Sequence, residues 1–283
     1  GSSTTSPPAG TAAKVIVEHT AINPNKAAHI GHLRNSALGD TLVRLLRFRG
    51  RPVEVQNNIN DTGVQVPDVV VGFRELEGQT LEGVKRIADE TRFDYYCWDL
   101  YARVTEWYGG DKARLKLRSE TLHAVEAGAN DVADMASFIA DRIVRCHLKT
   151  MARLNIEYDL LSWEGDILRL HFWATAFEQL KARGSVFLQN EGKLAGCWVM
   201  KIDDMVERPD VNADADASDD AEAGKEKVIV RSDGTVTYVG KDIAYQFWKF
   251  GLLGRDFKYR VFADRAHGPL WATCTTGGTA SHP

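Results

Sequence analysis

The chain lacks any run of apolar residues approaching the ~20 that a membrane-spanning helix requires, so no membrane segment is expected. It is poor in cysteine. The 4 present, Cys97, Cys146, Cys197 and Cys274, lie about fifty or more residues apart, with no C-x-x-C pair and no histidines grouped at zinc-ligand spacing. That pattern excludes a disulfide-stapled scaffold and predicts reduced thiols in a cytoplasmic protein. The opening GSSTTSPPAGTAA has neither the basic start nor the apolar centre of an export signal, and residues 1–13 read as a flexible leader. Net positive charge is missing as well: the formal total is −4, which taken alone argues against an RNA partner. The deficit is local. Residues 206–226 carry eight acids against Arg208 and Lys225, a net of −6, which leaves the rest of the chain at +2. A modestly positive body removes the objection without establishing the partner. Large apolar residues are almost absent from 206–226, so that segment cannot bury enough surface to offset its ordering entropy and is expected to be a solvated, mobile loop.

What the chain does have is 283 residues with 44% hydrophobic and 26% charged content, enough for a sizeable core and more than one structural unit. The informative stretch begins at Lys14-Val15-Ile16-Val17, a β-rich run ending at Glu18. A turn-prone Asn23-Pro24-Asn25 follows, and then Leu33, Ala37, Leu38, Leu42, Leu45 and Leu46 recur at helical steps. His29 and His32 stand where this helix begins, three apart, so their rings point the same way beside backbone N–H groups that favour an anion. Gly31 removes a side chain where a nucleotide would approach the backbone. Two imidazoles and a helix N-terminus suit a triphosphate, although an isolated H-x-x-H is most often a pair of ordinary cap histidines. Gly50 stops the helix, and Arg51 to Asn57 alternates as a second strand. Strand, helix, strand makes a right-handed crossover, whose ligands bind at the carboxyl ends of the strands.

Further on, Asn130 is placed to cap a helix with the apolar stripe Val132, Met135, Ile139, Ile143, Cys146, Met151 and Leu154. Leu160 to Ile167 reads as a short link to another helix, on which Phe172, Trp173 and Phe177 are expected to pack against neighbours. Val186 to Met200 reads as a hairpin, Lys227 to Val230 and Val236 to Val239 as strands, and Gly240 to Lys249 as a helix.

Two of these stretches carry a resemblance. Glu18, Asn23, Lys26, His29, Gly31, His32, Leu33 and Arg34 resemble the HIGH signature of class I aminoacyl-tRNA synthetases, in the arginine branch, where a strand ending in Glu runs through S-P-N and a Lys to H-[IV]-G-H-L-R. Ala21 and Ile22 depart from its Ser-Pro. The run VRSDGTVTYVGKDIAY is similar to that branch's S-D-G-x-x-T-Y-x-x-x-D-[IV]-A, in which Tyr and Asp line the arginine pocket; these fall on Tyr238 and Asp242. A third, weaker likeness joins Asp61-Thr62-Gly63-Val64-Gln65 to G-D-W-G-x-Q, with Asn60 and Thr62 departing from it, and a plain polar turn is an equal reading there.

The resemblance implies an α/β fold: a Rossmann-like parallel sheet of the class I aminoacyl-tRNA synthetase type with a large helical insertion. Along the chain this divides into a leader at 1–13, the first half of the nucleotide-binding domain at 14–72 and a helical insertion at 73–184. A hairpin at 185–205, the acidic mobile loop at 206–226 and the start of the second half at 227–283 complete it. It also implies an arginine–tRNA ligase fragment acting on ATP with Mg2+, on L-arginine and on tRNA(Arg), monomeric and cytoplasmic. His29, Gly31, His32 and Lys26 would then bind ATP, with His29, His32 and Lys26 catalytic, and Glu18, Asn23, Tyr238 and Asp242 would bind arginine. The family's KMSKS region and anticodon-binding domain are not recognisable here. Two alternatives stay open: another HxGH-superfamily nucleotidyltransferase, which would have no use for Tyr238 and Asp242 as an arginine pocket, and a non-catalytic paralogue that binds ATP, arginine or RNA.

Overall fold

The computed structural model describes residues 13–201 and 226–281, so the leader, save Ala13, and the acidic loop, save Glu226, lie outside the described residues. The chain forms two compact units, residues 1–165 with 258–283 and residues 166–257. In chain order the first unit contributes β1 (Val15–Glu18), α1 (Ile30–Phe48), β2 (Val53–Ile59) and α2 (Gln65–Val71), which runs into a π turn at Gly72–Leu76. It continues with α3 (Leu81–Glu90), α4 (Phe93–Gly110), α5 (Leu115–Ala127), α6 (Asp131–Ala152) and β3 (Leu160–Trp163); α7 (Glu164–Arg169) leads out of it. The second unit holds α8 (Phe172–Ala182), β4 (Phe187–Leu188), β5 (Trp198–Lys201), β6 (Glu226–Val230) and α9 (Tyr238–Lys249). The chain then returns to the first unit as β7 (Lys258–Ala263) and β8 (Leu270–Cys274).

The first unit is built on a five-stranded sheet in the order β1-β2-β3-β8-β7. β1, β2, β3 and β8 run parallel, with Glu18 opposite Gln56 and Ile59 opposite Trp163, as the α/β expectation requires. β7 pairs antiparallel with β8 at the edge. The parallel strands therefore bring Glu18, Ile59 and Trp163 to one end of the sheet.

Two local expectations are corrected. Leu160 to Trp163, read as part of a link, is the central strand β3, with all four residues buried. A strand covered on both faces shows no polar alternation, so its sequence resembles an apolar connector. The helices of the insertion consequently end at Ala152 and the chain re-enters the sheet before residue 184. The second correction concerns α1. The helix forms where its periodicity predicts, yet Ser36, Gly39 and Val43 face the sheet while Leu38 (67% exposed), Leu42 and Leu45 point outward. Small residues occupy the seat because His19 and Tyr158 fill the space beneath them.

Helix α6 is the shared wall of two cores. Its Met135, Ile139 and Ile143 pack with Val69, Phe73, Phe93 and Leu100 of the helical layer, whereas Ala140, Val144 and Met151 pack with Val17, Val55, Tyr158 and Leu161 of the sheet. Asn130 caps it as expected, its Oδ1 accepting from the Val132 and Ala133 N–H groups. In the second unit β4, β5 and β6 make an antiparallel sheet that includes the expected hairpin. Phe172, Trp173 and Phe177 pack as expected: Trp173 stacks on Phe177 at 5.1 Å, Phe177 meets Trp198 edge-on, and Phe172 sits 4.6 Å from Phe257. All four cysteines are free thiols, and no helix among the described residues is long and apolar enough to cross a membrane.

Burial makes the first unit acid-sensitive. His19 (8% exposed) and His147 (4% exposed) are both held below the usual histidine range, chiefly because burial disfavours the imidazolium. With a folded pKa below the unfolded value of 6.5, each ring is neutral in both states at higher pH and contributes nothing there. As pH falls through 6.5 the unfolded chain takes up protons that the folded one does not, so stability drops. Urea midpoints should therefore decline between pH 7.5 and 5.5, with a shallower decline in His147→Gln; equal slopes in the two proteins would exclude His147 as a source.

Candidate functional site

The residues singled out in the sequence fall into two sets, one in each unit. In the first, His29 is the N-cap of α1 and His32 its third residue, with the rings stacked at 3.7 Å and 22°. The imidazoles are themselves the caps. His29 Nδ1 accepts from the Gly31 N–H at 3.1 Å, and His32 Nδ1 accepts from the His29 N–H at 3.2 Å. The backbone donors that the sequence suggested were free for an anion are thus partly occupied. With Nδ1 accepting, each ring carries its N–H on Nε2. Gly31 suits this arrangement: a Cβ there would lie 3.1 Å from His29 Cε1 and 3.2 Å from its Nδ1, so the ring would have to give by a few tenths of an ångström.

Between Glu18 and Asn23 the chain makes a strained turn. Thr20 and Ala21 have φ of 83° and 47°, a left-handed conformation that costs on the order of 1–3 kcal/mol per non-glycine residue. The turn is held from outside. Asn57 Oδ1 accepts from the Ala21 N–H at 2.9 Å. The Thr20 hydroxyl meets Tyr158 Oη at 2.6 Å, Ser36 Oγ at 3.1 Å and His19 Nδ1 at 2.9 Å. Burial pushes the Tyr158 phenol up to about 12, so it stays a hydrogen-bonding neutral group. Glu18 is exposed at the end of β1, and Asn23 and Lys26 are half-buried. Glu18, Asn23, Lys26, His29, Gly31 and His32 therefore share one strand–turn–helix segment.

The Asp61–Gln65 loop behaves as a polar turn. The Thr62 hydroxyl donates to the buried Glu164 carboxylate, and Asp61 Oδ1 accepts from the Gly165 N–H at 2.8 Å, tying the end of β2 to the end of β3. In the second unit Tyr238 is the first residue of α9 rather than part of a strand, because Thr237 caps that helix with its hydroxyl accepting from the Gly240 N–H. Tyr238 and Asp242, one turn apart, share a face of α9, and both are exposed. Nothing in the sequence marks Asn57, Tyr158, Trp98 or Tyr101 as a site residue except, for the last two, the aromatic step of three from 98 to 101 on a helix; both are half-buried in the structure.

Comparison with known proteins places this geometry among relatives. Residues 3–254 match the family described as tRNA synthetases class I (R), catalytic domain. The arginine–tRNA ligase of Thermococcus sibiricus is 35% identical over 279 residues, covering 95% of this chain and 40% of the relative. That of Thermus thermophilus is 37% identical over 272 residues, with 95% and 40% covered. A solved Thermus thermophilus arginyl-tRNA synthetase superposes with a TM-score of 0.71 at 33% identity, covering 94% of this chain and 40% of that one. The chain thus spans about 40% of the length of the curated relatives it matches.

Proposed function

The chain belongs to the catalytic-domain family of the class I tRNA synthetases of the arginine type, and from that premise we propose that it carries part of the machinery joining L-arginine to tRNA(Arg) through an arginyl-adenylate. In this reaction an oxygen of the arginine carboxylate attacks the α-phosphorus of ATP and pyrophosphate leaves. The nucleophile is already ionised, so no general base is needed, and catalysis consists of alignment and neutralisation of phosphate charge. His29 and His32 would present their Nε2–H groups to the phosphates, with Lys26 adding positive charge and Gly31 letting the nucleotide lie close. Mg2+ would arrive bound to the phosphates of ATP, as is usual in nucleotide chemistry. The substrate guanidinium, planar and permanently charged, needs fixed acceptors; Asp242 would supply the carboxylate and Tyr238 the hydroxyl. Glu18 and Asn23 would hold the α-amino end. Transfer to tRNA(Arg), a monomeric state and a cytoplasmic location belong to the same proposal.

The observation supporting this reading is the pair of stacked imidazoles at the start of α1, each accepting a cap hydrogen bond on Nδ1 and so carrying its ring proton on Nε2. The test is calorimetry with ATP, L-arginine and L-lysine titrated separately. Arginine should bind in preference to lysine, and Asp242→Asn should weaken arginine ~10-fold or more, from the ~1.5–3 kcal/mol of a hydrogen bond to a charged group. Arginine binding unchanged in that variant would refute the pocket assignment. Preference for an uncharged acid substrate would instead favour another nucleotidyltransferase.

A further inference from the structure

The helical insertion holds Lys26 at both its side chain and its backbone. The Lys26 ammonium lies 5.4 Å from the centre of the Trp98 ring and 5.6 Å from that of Tyr101, both on α4. The Trp98 ring also meets His29 edge-on at 6.4 Å. The peptide group joining Lys26 to Ala27 is gripped from two sides. Its carbonyl lies 2.7 Å from His147 Nε2 on α6, and since a carbonyl can only accept, the imidazole donates. Its N–H donates to the Asp94 carbonyl on α4 at 3.1 Å. α4 and α6 are packed together in the helical core, so the two grips move as one.

We propose that Trp98, Tyr101 and His147 are positioning residues for Lys26: the insertion fixes the peptide plane of the lysine and parks its ammonium on two aromatic faces beside His29, ready for a phosphate. The resting partner is chemically suited to release. A carboxylate would compete with the phosphate and be left unpaired when the lysine moved, whereas an aromatic face attracts a cation through its quadrupole and needs no replacement. Among the described residues Lys26 has no carboxylate partner. Lysine has a flexible four-carbon stem, and the two rings restrict it before the nucleotide arrives. This inference rests on the reading of Lys26 as a phosphate-side group.

The experiment measures MgATP affinity by calorimetry and tryptophan emission in the 283-residue chain. Without nucleotide, Lys26→Met should change the emission assigned to Trp98, obtained as the difference from Trp98→Phe. The double variant Trp98→Leu, Tyr101→Leu should bind MgATP about 5-fold more weakly, with Trp98→Phe close to wild type because a ring face remains. His147→Ala should weaken MgATP by a similar factor, and His147→Gln, which keeps a donor, should recover most of it. Thermal melts separate these effects from unfolding; should His147→Ala fail to fold, the ring variants and the nucleotide-free emission still decide. If Lys26→Met weakens MgATP but the ring and histidine variants do not, the inference is overturned and the function reading stands. If Lys26→Met has no effect, or the wild-type chain does not bind MgATP, that reading falls and takes the inference with it. An emission unchanged by Lys26→Met overturns the inference by itself.

Discussion

Replacing Gly39 with alanine is expected to lower the unfolding free energy by about 3 kcal/mol, despite the roughly 1 kcal/mol that alanine gains over glycine within a helix. Gly39 sits in the middle of α1, on the face that meets the sheet, and its added Cβ would lie 2.3 Å from both Cβ and Cγ of His19. These are atoms at the root of the His19 side chain, next to the backbone of the strained turn, so rotating the ring gives no relief. Either α1 lifts or the turn shifts. Both outcomes stretch the contacts of Thr20 with Ser36 and Tyr158, which hold the positive-φ residues in place. Shortening His19 to alanine should not rescue the variant because the offending Cβ remains, whereas glycine at 19 should restore part of the loss. Urea unfolding followed by circular dichroism checks the magnitude, and a Gly39→Ala midpoint equal to wild type would show that α1 is not seated this closely. Since α1 also carries His29 and His32, MgATP binding should fall in parallel.

Asp68→Ala should cost still more, about 3–5 kcal/mol, as expected for removing one partner of a buried ion pair. Asp68 on α2 is fully buried and receives two parallel hydrogen bonds from Arg118 of α5, at 2.9 and 2.8 Å, and one from the Tyr108 hydroxyl of α4 at 3.0 Å. One carboxylate therefore joins three helices. Its removal leaves the Arg118 guanidinium, only about a quarter exposed, and a buried phenol without this acceptor. The cost comes from the stranded partners more than from the worth of the pair itself. Replacing all three by apolar residues, Asp68→Leu with Arg118→Met and Tyr108→Phe, should accordingly recover most of the stability. A triple variant as unstable as Asp68→Ala would show instead that the pair is a net source of stability. Because α4 bears Trp98 and Tyr101, the single variant should also loosen the hold on Lys26.

The sequence by itself determined whatever depends on neighbours within a turn or two of chain. The strand to Glu18, the helix from Ile30, the Asn130 cap and the hairpin after Val186 all follow from caps, turn residues and periods that act over a few positions. The HIGH-like pattern also lies in one continuous segment, which is why six of the proposed site residues are legible in the sequence. Tertiary structure decided the rest. β3 hid because a strand covered on both faces has no alternation to read, and α1 buried its small residues because His19 and Tyr158 occupy the space beneath it. The grip on Lys26 joins residues 121 positions apart, and the bond between Thr20 and Tyr158 spans 138. Such partners are chosen by the packing of α4, α6 and the sheet around the turn, and no local preference of either residue records the choice.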